Sequence, residues 1–133
     1  METSSRRVLV VANRTAATPD LLEEVRRRAR EGPSAFVLLI PDASGGSGDW
    51  TLELALPLLE KAAGSRVEGL VGDPEPLAAI QDAVNLHGFD ELIISTLPKR
   101  FSRWLRLDLP HKAAGLGLPV TTVTAQGREV ASV

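Results

Sequence analysis

Hydrophobic residues gather in five short runs along this chain, and between the runs they recur every three or four positions. The runs are "RVLVVAN" (7–13), "AFVLLI" (35–40), "RVEGLVG" (66–72), "ELIIST" (91–96) and "PVTTVTA" (119–125), all rich in Val, Ile or Thr. Most are nearly continuous rather than alternating, the pattern of strands covered on both faces. The spacers predict helices. In the first, Thr18 stands at the N-cap and Pro19 at the first helical position, and Leu21, Leu22, Val25 and Ala29 form one apolar side. Gly32-Pro33 ends it. In the third, Asp73 can cap, Pro74 suits the first turn, Leu77, Ile80 and Val84 form the buried stripe, and Gly88 stops the helix.

Two spacers are interrupted. "DASGGSGDW" is a Gly/Ser loop in which Asp49 can cap the second helix, but Pro57 then falls inside "TLELALPLLEKAAG" and is expected to kink or split it. The fourth is predicted as a helix from about Phe101 to Leu109, broken at Pro110. Strand and helix alternating through five strands implies right-handed crossovers and a parallel sheet flanked by helices, in a single domain over residues 1–133.

Composition narrows the functional classes. A 133-residue chain that is 44% hydrophobic can bury a core, and a net charge of −2 gives no reason to expect nucleic acid or an anionic membrane as partner. Absence of cysteine removes disulfides, thiol chemistry and thiolate metal sites. Arg6 and Arg7 precede an apolar run, as in a signal peptide, but "VLVVA" is too short for a signal core or a membrane span. Charge is segregated: residues 67–98 carry Glu68, Asp73, Glu75, Asp82, Asp90 and Glu91 with no Lys or Arg, and 99–112 carry Lys99, Arg100, Arg103, Arg106 and Lys112 with one acid, Asp108. Such a basic segment reads either as a solvated helix face or as an anion site.

In a parallel sheet of this kind, ligands sit beyond the carboxyl ends of the strands where strand order reverses. That places Asn13, Arg14 and Thr15 at the crevice, with Pro41 and Asp42, Gly72 and Asp73, Ser95 to Pro98, and residues 125–127. The set is poor in catalytic groups. His87 falls at a helix end, His111 has no carboxylate or serine partner in sequence, and neither G-x-S-x-G nor metal-ligand spacing occurs. A phosphorylatable receiver domain is rejected: it needs clustered acids after the first strand and a lysine after the fifth, and neither is present.

The stretches "RVLVVANRT", "VEGLVGDPEPLAAIQDAVNLHGFDELIIST" and "GLPVTTVTA" resemble the universal stress protein family, and the likeness runs through nearly the whole chain. The resemblance implies an α/β three-layer sandwich of the adenine nucleotide alpha hydrolase-like type, with a five-stranded parallel sheet in the order 3-2-1-4-5. It also implies a homodimer, often paired through the fifth strand, and a cytoplasmic, stress-related or regulatory role. ATP-binding members carry G-x2-G-x9-G-S/T after the fourth strand; here the same spacing reads Ser95-x2-Pro98-x9-Asp108-Leu109. Glycines there let backbone N–H groups approach phosphates, whereas Pro98 has no N–H and Asp108 is expected to set a carboxylate near the phosphate position. Leu109 removes the hydroxyl, and Asn13 replaces the aspartate usual after the first strand.

The leading expectation is therefore a non-catalytic regulatory domain without ATP bound in the family manner and with no assigned cofactor. The alternative is a nucleotide-binding or slowly ATP-hydrolysing protein with a rearranged loop. Lys99, Arg103 and Arg106 would share a helix face and Arg100 could stack on Trp104, so a small anion could be held there with Ser95, Thr96 and Ser102. A protein partner on the same Trp/Arg surface is the other outcome, and a purely structural Trp104–Leu105–Leu109 packing is the third.

Overall fold

A computed structural model describes residues 5–13, 15–41, 47–98 and 102–125, with the backbone alone for 47–50. Five strands, β1 (Arg6–Val11), β2 (Ser34–Pro41), β3 (Glu68–Gly72), β4 (Glu91–Thr96) and β5 (Val120–Thr124), form one parallel sheet in the order β3-β2-β1-β4-β5. The helices are α1 (Pro19–Glu31), α2 (Ser47–Ala63), α3 (Pro76–His87), α4 (Arg103–Arg106) and α5 (Leu109–Ala114). The expected α/β three-layer architecture and strand order are those observed.

The continuous apolar runs are explained by which face each residue takes. Val8, Val10, Phe36, Leu38, Ile40 and Ile93 pack beneath α1 and α2 with Leu21, Val25, Ala55 and Leu59. Leu9, Val11, Val37, Leu39, Leu92 and Ile94 face the other way, onto Ala79, Ile80 and Ala83 of α3 and onto Leu109 and Ala113 of α5. Alternate residues thus enter opposite cores, and each fully buried Leu or Ile contributes about 1.5–3 kcal/mol of transfer free energy. Gly72 closes the second layer: a Cβ there would lie 3.0 Å from both Ala79 Cβ and Leu39 Cδ1. Among the described residues no helix is long and apolar enough to cross a membrane.

Helix boundaries differ from the expectations wherever proline is involved. α2 runs unbroken through Pro57, and Asp49 lies inside its first turn rather than before it. Packing of Ala55, Leu59 and Ala62 into the core holds the helix together across the one backbone hydrogen bond that Pro57 cannot make. α3 is capped by Glu75, whose carboxylate accepts from Ala78 N at 2.8 Å, with Pro76 in the first turn. Asp73 instead accepts from Glu75 N at 2.8 Å and stays exposed. "DPEP" offers acid-then-proline twice, and the second copy is the one used.

Nor is there a helix from Phe101 to Leu109. Ser102 is extended (φ −102°, ψ 113°), and its hydroxyl caps the single turn of α4 by accepting from Leu105 N at 3.1 Å. The chain turns at Asp108, the one described non-glycine residue with positive φ (61°), and Pro110 sits in the first turn of α5, beginning a helix rather than ending one. Asp108 makes no side-chain cap. Asp108→Gly is therefore expected to stabilise the domain by about 0.5–1 kcal/mol in urea unfolding, because relief of the left-handed strain exceeds the added entropy of the unfolded chain. A loss of stability would mean that the Asp108 side chain contributes more than its backbone strain costs.

Candidate functional site

The chain builds β1, β2 and β3 outward to one side, then crosses to β4 and β5 on the other, so strand order reverses between β1 and β4. Their pairing ends at Val11 opposite Ile94, and the loops that follow diverge. Between them lies a crevice of about 320 Å³, lined by Asn13, Thr15, Ser95, Thr96, Leu97, Ser102, Arg103 and Trp104. Its size falls at the lower end of small-molecule sites.

Each lining group is placed by a specific local feature. After β1 the chain turns through Ala16 N→Asn13 O (3.3 Å) and Thr18 N→Thr15 O (3.2 Å), which carries Thr15 beneath the end of β4. There the Thr15 and Ser95 hydroxyls lie 2.6 Å apart, both buried. Asn13 is fixed by donating from Nδ2 to Pro41 O at 3.2 Å, which ties the β1 and β2 loops together. The backbone of Thr96 is held by Ala125 N donating to its carbonyl at 2.8 Å. Its hydroxyl, on a residue 2% exposed, has no hydrogen-bond partner among the described residues.

On the far wall Trp104 is half-buried and packs against the core layer containing Leu109 and Ile94. Arg103 is exposed and has no ion pair among the described residues. Among the described residues no carboxylate and no histidine lines the crevice. His87 and His111 are exposed, at the end of α3 and in α5, and among the described residues no cluster of His, Asp or Glu could hold a metal ion. The described lining supplies hydroxyls, an amide, one guanidinium and an apolar wall.

The sequence-predicted residues divide accordingly. Asn13, Thr15, Ser95, Thr96, Ser102, Arg103 and Trp104 meet at the crevice, and Leu97 joins them. Asp73 does not, being held in the turn before α3. Arg14, Lys99 and Arg100 lie outside the described residues. α4 starts at Arg103, after an extended Ser102, so the described helix carries Arg103, Trp104 and Arg106 in a single turn, and the expected groupings with Lys99 and Arg100 lie outside the described residues. Asp108 was expected near the phosphate position; it is exposed and does not line the crevice.

A second cavity, about 480 Å³, lies at the opposite end of the sheet among Arg6, Arg27, Arg28, Glu31, Ser34 and Glu91. It is larger, but its arginines are committed: Arg6 and Arg28 to Glu91, Arg28 and Arg27 to Glu24, and Arg27 to Glu31. The charges balance, which makes this a structural cluster.

No family model and no curated protein matches the sequence. Solved structures do match in fold. A universal stress protein in complex with cAMP superposes with a TM-score of 0.70 at 14% identity, covering 92% of this chain and 100% of that one. A universal stress protein from Archaeoglobus fulgidus gives 0.64 at 18% identity, covering 89% and 93%. A bacterial class III photolyase from Agrobacterium tumefaciens gives 0.58 at 20% identity over 93% of this chain but 27% of its own. Over 92% of its length, this chain has the fold of the universal stress proteins.

Proposed function

We propose that the chain is a single-domain, non-catalytic regulatory or stress-linked protein that binds a small ligand in the β1/β4 crevice and does not bind ATP in the manner of ATP-binding universal stress proteins. The observation that carries this reading is the character of the crevice wall. It presents the buried hydroxyls of Thr15, Ser95, Thr96 and Ser102 where a glycine loop would present backbone N–H groups. The segment from Ser95 to Pro110 contains no glycine, and Pro98 has no N–H to offer. The described lining of hydroxyls, an amide and one guanidinium supports binding without turnover. The family likeness supports a cytoplasmic homodimer, and the outer edge of β5, which has no further strand beside it in the sheet, is the surface we assign to pairing.

A second reading, a nucleotide-binding or slowly ATP-hydrolysing protein, is favoured by the likeness to a universal stress protein in complex with cAMP. Calorimetric titration with Mg·ATP, alongside a phosphate-release assay, separates the two. The expected result is no binding heat at millimolar Mg·ATP and no phosphate release above buffer. Micromolar binding with turnover would establish the second reading and show that another loop geometry cradles the triphosphate.

A further inference from the structure

The two helices on one face of the sheet present different surfaces to water. On α1 the exposed charges are matched within the helix: Arg26 pairs with Glu23, and Arg27 with Glu24 and Glu31. α2 turns Ala55, Leu59 and Ala62 into the core, and Glu53, Leu54, Pro57, Leu58 and Lys61 lie exposed. Leu54 is 57% exposed and Leu58 45%. One helical turn separates the leucines, and with Pro57 they form a continuous apolar stripe on a single face. Leucines scattered singly over a surface are ordinary, whereas contiguous apolar patches are where contacts form.

The charges at the ends of the stripe indicate what covers it. Glu53 stands one turn before Pro57 and Lys61 one turn after it, about 12 Å apart along the axis and too far to pair with each other. The nearby Glu60 is already engaged, accepting from Val67 N at 3.1 Å. We propose that this face of α2 binds the same face of a second copy, with the two α2 helices antiparallel about a twofold axis at Pro57. At a rise of about 1.5 Å per residue, that axis sets Glu53 of each copy across from Lys61 of the other, at both ends of the contact. Leu54 then lies about 4.5 Å to one side of the axis and Leu58 about 1.5 Å to the other, so the four leucines of the pair alternate between the two helices. A parallel pairing would instead oppose Glu53 to Glu53 and Lys61 to Lys61. Because α2 packs on β2 and β3, away from β5, this contact is separate from pairing at the β5 edge and can join one such pair to another. One helix face buries less than the ~800 Å² per partner of a standard interface, so the association is weak and reversible.

Sedimentation equilibrium of the full chain, from micromolar to near-millimolar concentration, tests this with variants at exposed positions. Leu58→Glu should abolish one association step and leave the melting temperature essentially unchanged. Glu53→Lys and Lys61→Glu each set like charges across both ends of the contact, and each should weaken that step about fivefold. Mixed in equal amounts, the two variants set opposite charges across both ends. The mixed pair should therefore be at least about fivefold tighter than either variant with itself, and the chain carrying both substitutions should return to wild type. Association indifferent to Leu58→Glu would overturn the α2 contact and leave the β5 edge as the pairing surface. A mixture no tighter than its components would overturn the antiparallel arrangement, and a chain monomeric throughout would overturn the proposal outright.

Discussion

Glu91→Ala is expected to destabilise the domain by about 3 kcal/mol, lowering its melting temperature by roughly 10 °C. Glu91 opens β4 at the amino end of the sheet with its side chain only 6% exposed. It joins two cations, Arg6 at 2.9 Å and Arg28, and Arg28 in turn donates to Thr121 on β5 at 2.7 Å and to Glu24 on α1 at 3.0 Å. One carboxylate thereby links β1, β4, α1 and, through Arg28, β5. The two arginines do not matter equally. Arg6 is 57% exposed, so solvent absorbs much of its loss, whereas the Arg28 side chain is 13% exposed and would keep a charge with one acid fewer.

Removing one partner of a buried pair costs about 3–5 kcal/mol, and the retained Glu24 contact places this case at the lower end. The decisive comparison is Glu91→Ala with Arg28→Met added. Removing both charges should recover at least half of the loss, because the penalty is the stranded guanidinium and not the missing contact. A Glu91→Ala midpoint within about 1 kcal/mol of wild type in urea would show instead that the cluster is solvated and worth no more than a surface ion pair.

Glu91 also marks a boundary of what the sequence discloses. It belongs to the acidic stretch 67–98, yet it is buried. Its partners lie 63 and 85 residues away, and no local pattern records such pairings. The strands were legible because burial on both faces leaves a continuous apolar run, a signal that survives in Val8–Val11 and Leu92–Ile94 whatever the neighbours. From strand order alone the crevice could be located, and Asn13, Thr15, Ser95 and Thr96 follow from standing at the ends of β1 and β4.

Proline was the poorer guide. Pro57, Pro76 and Pro110 are chemically alike but sit inside α2, in the first turn of α3 and in the first turn of α5. Which role each takes depends on the packing around it, as with Leu109 beside Pro110. The Thr15–Ser95 hydroxyl pair was invisible for a related reason. Sequence names the residue types at the crevice but not which of their donors are already spent.

Leu109→Ser is expected to cost about 2–5 kcal/mol and to confer no binding of Mg·ATP. By spacing, Leu109 takes the place of the Ser or Thr that ends the phosphate motif of ATP-binding universal stress proteins, so serine restores the family's residue. The structure gives the position a different occupation. Leu109 is 4% exposed, heads α5, and packs with Ile80, Ala83, Leu92 and Ile94 between α3 and the sheet. Truncation to serine loses the transfer free energy of the missing carbons, opens a cavity, and buries a hydroxyl that then needs a partner. Leu109→Met, which conserves volume, should cost less than about 1.5 kcal/mol and serves as the control.

The two readouts separate the possibilities. Serine at 109 that is tolerated in urea and brings Mg·ATP affinity would show that the phosphate cradle persists here and lacks only its hydroxyl. Loss of stability with no gain in affinity would show that the position now belongs to the core. On that outcome the loop has exchanged phosphate contacts for packing, and any anion in the crevice is held by side chains.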